Sequence, residues 1–182
     1  HGVARTEINA LLPDALQLDA YQWSSADQLK RFLRQAHLDW LKQKFALEEG
    51  WLTGRSDSAH QHPFSYKAPG QLHTWFQEHH TPEANLEFKL HLVTPDTRVI
   101  GPDSEGYYAL VLEQMDEDLS ECRRFYHLTE GGDCRHWPSL IHLLQVLAIA
   151  HHHGAIMCRS QLDAASLYQL SHHKGLIPNW LD

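Results

Sequence analysis

Sixteen of the 182 residues are histidine. Imidazole titrates near neutrality and is the commonest metal ligand, so this enrichment points first to metal, acid/base or pH-sensing chemistry. His60, His62, His73, His79 and His80 fall in one stretch, His151, His152 and His153 are consecutive, and His172 and His173 form a pair. A zinc or iron site needs three or four convergent ligands. The candidate set is His37, His60, His62, His73 and His79, with His60 and His62 supplied by one loop. The alternative is loop histidines with no special partner. Consecutive residues on a helix point about 100° apart, so His151, His152 and His153 cannot all bind one ion. Cationic caps at the carbonyl end of a helix are the simpler role for them, and for His172 and His173.

Cys122, Cys134 and Cys158 make no CxxC pair. Cys158 beside His153, or Cys134 beside His136, could supply a nucleophile and a base, but cysteine also serves as a small buried apolar residue. No phosphate cradle, nucleophile triad or metalloprotease motif accompanies them, which argues against an enzyme. Three cysteines are not a disulfide framework, and a reducing, cytoplasmic setting is expected. Of the six tryptophans, Trp51 and Trp180 lie in polar, turn-like surroundings. Exposed tryptophan is favoured at protein contacts, so Trp51, Leu176, Ile177, Trp180 and Leu181 are the candidate partner-binding residues.

The elements that must position these groups follow from hydrophobic periodicity. A short helical piece is expected within Thr6 to Tyr21. Leu29, Phe32, Leu33, Ala36, Trp40 and Leu41 recur at helical spacing behind a Ser24 and Asp27 capping pattern, predicting a helix from about Ser25 to Glu48. Residues 53–70 hold Gly54, Pro63, Pro69 and Gly70 and read as loop. A short helix fits Gln71 to His80. Leu86, Phe88, Leu90 and Leu92 alternate with polar residues as a strand does. Thr97 to Ile100 and Tyr107 to Met115 read as further strands, the latter central because it is apolar on both faces. Asp116 to His127 carries acids first and bases last, in the sense of a helix dipole. Ser139 to His153 is apolar around most of its circumference and predicts a buried helix behind Pro138. A last helix is expected from about Leu162 to His173.

Hydrophobic residues at 42% and charged residues at 21% are ordinary globular values, and the formal net charge of −8 disfavours nucleic-acid binding. No apolar run is long enough to span a bilayer, and no signal peptide is read at the start. The opening His1 and Gly2 suggest a tag remnant or a domain excised from a longer protein.

Two local resemblances bear on function. AHLDWLKQKF, from Ala36 to Phe45, resembles the opening of bacterial chemoreceptor-type zinc-binding domains, in which a histidine followed three residues later by tryptophan begins the metal site. Only His37 and Trp40 carry over. Gly70 and His73 stand where that family's CxxGxW has its cysteine and glycine. GYYALVLEQMDEDL resembles the strand and hinge of a protein kinase, and LLQVLAIAHHHGAIM the long helix leading to its catalytic loop. Met157, Cys158 and Arg159 stand where that family reads HRD, and no Gly-rich loop, VAIK lysine or DFG is present. That likeness implies at most a degenerate kinase-like fragment.

The expected architecture is α+β: a helical N-terminal segment with its loop (1–70), then a core (71–182) packed with it as one domain. That core has a small, mainly antiparallel sheet at about 86–115 and a C-terminal helical layer on the helix at about 139–153. The function expected is a non-catalytic regulatory or protein-interaction module of a cytoplasmic bacterial-type protein. A histidine-rich zinc- or iron-binding sensory or hydrolytic domain is the first alternative and the kinase-like fragment the second.

Overall fold

The computed structural model describes residues 7–81, 87–101, 103–115 and 123–181. After α1 (Ile8–Leu11), the helix expected from Ser25 to Glu48 is two helices, α2 (Ala26–Phe32) and α3 (Gln35–Phe45). Ser25 Oγ caps α2 by accepting the Gln28 N–H, and the break falls at Leu33, whose backbone is extended. His37 restarts the helix: its Nδ1 accepts the Arg34 N–H at 3.0 Å, and its Nε2–H donates to the Leu16 carbonyl at 3.0 Å. A short α4 (Glu49–Leu52) follows, and Trp40, Leu41 and Trp51 pack around buried Phe45 and Leu47.

Residues 53–68, with Gly54, Pro63 and a run of short polar side chains, are irregular, yet they bury Ala59, His60 and Ser65 completely. Then come α5 (Pro69–His79), β1 (Phe88–Thr94), β2 (Tyr107–Met115), β3 (Arg123–His127) and β4 (Gly132–Asp133). They are followed by α6 (Trp137–His152), β5 (Ile156–Gln161), α7 (Ala164–Ser171) and α8 (Pro178–Leu181). The five strands form one mixed sheet in the order β3-β2-β1-β5, with β4 beside β2. β2 is central, antiparallel to β1 and β3, while β5 runs parallel to β1. The fold is α+β.

Strand alternation divides the core. Phe88, Leu90, Tyr108, Leu110, Leu112 and Tyr126 face α5 and α6. Val93, Ala109, Val111 and Phe125 face Leu167 and Leu170 of α7, together with Ile177.

Three further expectations are corrected. Residues 123–127 are a strand where a helix was expected, because Phe125 and Tyr126 must face opposite layers; residues 116–122 lie outside the described residues. Thr97 to Ile100 is bends and coil, held by Asp96, whose carboxylate accepts the Arg98 N–H at 2.8 Å. The segment after α6 is strand β5, and the helix that follows it is confined to Ala164–Ser171.

Candidate functional site

The fold collects four of the rings in one place. His60 leaves the irregular segment fully buried, His62 follows two residues on, His127 ends β3 and His173 follows α7 in the left-handed region at φ 58°. His127 and His173 stack with centroids 4.0 Å apart, His62 meets His173 edge-on at 4.7 Å, and His60 lies 6.1 Å from His127. The backbone sets two tautomers. Ile177 N–H donates to His60 Nε2 at 3.1 Å, and His173 Nε2–H donates to the Thr129 carbonyl at 2.8 Å. His127 Nε2 is buried with no hydrogen-bond partner among the described residues.

Burial keeps this group neutral, since taking a cation out of water is costly. It pulls His60 down to about 3 and His62 to about 4, the latter helped by His173. It also pushes His127 well below the usual imidazole range, with His173 and His60 adding to the effect, and lowers His173. His173 is therefore no helix-end cation. Beside the cluster a cavity of about 290 Å³ is lined by His62, Tyr66, Tyr108, Glu130 and His142. Ser65 Oγ lies 2.7 Å from His142 Nε2, but the serine is fully buried, so this pair ties the irregular segment to α6 and presents no nucleophile to solvent.

The remaining candidate ligands lie elsewhere. His73 on α5 meets His153 at the end of α6, with Nδ1 and Nε2 2.9 Å apart. His153 stacks on Phe76 at 4.9 Å, and burial lowers its pKa, so it too is no cationic cap. His79 lies flat on Trp75 at 4.1 Å and donates Nδ1–H to the Trp75 carbonyl. His37 is held inside the α3 cap. The five candidates thus divide among four places, with only His60 and His62 sharing one. Among the described residues, no group of three or more His, Cys, Asp or Glu side chains is arranged to hold a metal ion.

One constellation escaped the sequence reading. On the face of the sheet that α7 packs against, His91 of β1 donates Nε2–H to Glu113 of β2 at 2.8 Å, which leaves Nδ1 toward Ser160 Oγ of β5 at 3.4 Å. Glu113 is buried, yet His91, Lys89 and Arg123 outweigh desolvation and hold its carboxyl below the usual range. Three positive or donor groups around one carboxylate neutralise a charge inside the sheet. The signal lay only in polar residues at strand positions that alternate with apolar ones.

The candidate docking residues at the chain end are packed inward: Ile177 is fully buried, and Trp180 and Leu181 lie against the α7 cluster. Leu176 is half-buried, as is Trp51 against the Phe45 cluster. Large apolar side chains are exposed singly at Tyr21, Phe64 and Val99 and as the pair Ile156 and Met157, and in a row of three on α6. That helix buries Leu140, Leu143, Val146 and Ala150, as its composition demands, but leaves Trp137 61%, Ile141 43% and Leu144 66% exposed. Ala148 is exposed in line with them, extending the stripe at successive spacings of four, three and four residues. Such spacing keeps one face of a helix in register.

Cys134 is buried, with its thiol pushed up by desolvation, and Cys158 is half-buried on β5. Among the described residues no helix is long and apolar enough to cross a membrane. Comparison of the chain with protein-family models, with curated proteins and with solved structures gives no match.

Proposed function

We propose that the protein is a regulatory or protein-interaction module and that the outer face of α6 is where it binds a partner. The observation that carries this reading is the exposure of Trp137, Ile141 and Leu144 on one stripe of the most apolar helix. Single exposed apolar residues are ordinary, whereas an aligned row of large ones marks a contact surface. A partner helix laid along α6 would bury all three, and tryptophan in such a row is the residue type that most often dominates binding energy. The reading assigns no reaction to the module. The free thiols of Cys134 and Cys158 agree with a cytoplasmic, reducing setting.

A photo-crosslinking amino acid placed at Leu144 tests it, with exposed Tyr168 on α7 as the control position. The expected result is a discrete adduct at 144 only. The captured chain, once identified and purified, should bind with affinity reduced about tenfold or more by Ile141→Lys. Equal labelling at both positions, or binding indifferent to Ile141→Lys, refutes the proposal.

A further inference from the structure

Resting on that reading, we infer that the occupant of the α6 face is a second copy of this chain, packed antiparallel through α6 about a two-fold axis. The stripe Trp137, Ile141, Leu144, Ala148 has the alternating four- and three-residue steps of the a and d seam of a coiled coil, with Trp137 and Leu144 at d and Ile141 and Ala148 at a. Antiparallel helices pair each a residue with a d residue of the other strand. Setting Ile141 against the partner's Leu144 then places Trp137 against the partner's Ala148, and the two-fold operation repeats both contacts. The largest side chain of the seam thus meets the smallest, and two branched residues of similar size meet at the centre. A self-complementary surface of this kind is what a closed dimer requires.

Charge permits the same arrangement. The chain carries a net −8, which opposes self-association in general. Yet α6 holds no Asp or Glu along its whole length, so pairing it with itself brings no carboxylates of the helix together. Antiparallel alignment also sets the carbonyl end of each helix beside the amide end of the other, so the two macrodipoles attract. His151 and His152, exposed in the last turn, would lie about one turn from the partner's Trp137, where an imidazole can cover the indole.

The test is sedimentation equilibrium of the purified chain over a range of concentrations, with the register probed by exchanging the large and small residues. The wild type should move from 21.0 kDa toward twice that mass as concentration rises. Leu144→Asp should remain monomeric with an unchanged circular dichroism spectrum, and should melt as the wild type does at concentrations where the wild type is monomeric. Trp137→Ala leaves a gap at each end of the seam and Ala148→Trp places two indoles together, so each alone should weaken association about tenfold. The double variant Trp137→Ala, Ala148→Trp restores one large and one small residue per contact and should return to within about threefold of wild type.

A wild type that stays at the monomer mass at the highest concentration overturns the inference, as does a dimer indifferent to Leu144→Asp or a double variant no tighter than its parents. Failure of the broader reading is separable. An adduct at position 144 with a different chain preserves α6 as a docking face while excluding the second copy, and no position-specific adduct removes both.

Discussion

Acidification from neutral pH should destabilise this protein through its buried histidines. His60, His62, His127 and His173 are held neutral by burial, whereas in the unfolded chain each returns to the ordinary value of 6.5. Their folded pKa values are depressed, so between 6.5 and the folded value the unfolded state binds more protons, and stability falls as pH falls through that window. It is fully present above 6.5. Each such group contributes about 1.36 kcal/mol per pH unit, or about 2 kcal/mol from pH 6.5 to about 5. His60, at about 3, stays neutral throughout that interval. His62, at about 4, adds less because part of its ring faces solvent, so the two together come to about 3 kcal/mol. That is a large share of the roughly 5–15 kcal/mol that holds a domain folded. The carboxylates with perturbed values, Glu113 among them, are shifted downward and titrate below the window. Urea unfolding at half-unit steps between about pH 7 and 5 measures the slope. His127→Phe keeps a ring to stack on His173 and leaves no partner of Nε2 unsatisfied, so it should fold and lower the slope by up to one proton. A flat profile from 7 to 5, or a slope unmoved by that substitution, would refute the argument.

Three further substitutions follow from the packing. A Cβ on Gly132 would stand 2.7 Å from the Tyr108 carbonyl oxygen and 2.8 Å from its ring, so Gly132→Ala should cost about 1–3 kcal/mol, read as a shifted urea midpoint at constant slope. Ser65→Ala leaves buried His142 Nε2 without its 2.7 Å partner and should cost about 1–3 kcal/mol, while the near-isosteric Ser65→Cys should lose less. Phe76→Ala removes a fully buried ring that touches Phe88 and stacks on His153, at a cost of about 3–5 kcal/mol by thermal or urea unfolding.

Periodicity made the α+β class legible because its strongest patterns belong to deeply buried elements. Tyr108 to Leu112 is apolar on both faces and is the middle of the sheet, and Leu140, Leu143 and Val146 are the inner face of the longest helix. It failed where one residue serves two demands. In RRFYH, charge order imitates a helix end, and only the presence of a sheet partner for Val111 to Met115 decides that Phe125 and Tyr126 point opposite ways. In IMCRSQ every residue is at least partly exposed, so β5 shows no alternation, and its strand conformation comes from backbone pairing with β1. The break between α2 and α3 depends on His37 reaching back to Arg34, a hydrogen bond that spacing cannot foresee.

The histidines show why composition announced a site that spacing could not locate. His60 and the backbone it accepts from at Ile177 are 117 residues apart, and His173 reaches a carbonyl 44 residues away. His60 and His62 are near in sequence, but their neighbours are a strand end and a post-helical turn, so tertiary packing alone assembles the group. The same packing decides its chemistry. Parallel stacking of His127 on His173 directs ring faces, not nitrogen lone pairs, at one another, and it suits neutral rings. A dipole argument correctly expects cations after a helix, yet it presumes solvent around the helix end; His153 lies against Phe76 and His173 against His127, and desolvation there lowers both imidazoles. Composition likewise told that the helix from Pro138 must bury an apolar face. It could not tell that the sheet and α5 cover one side of that helix only, and the side left over, with Trp137, Ile141 and Leu144, is the surface on which the proposed function depends.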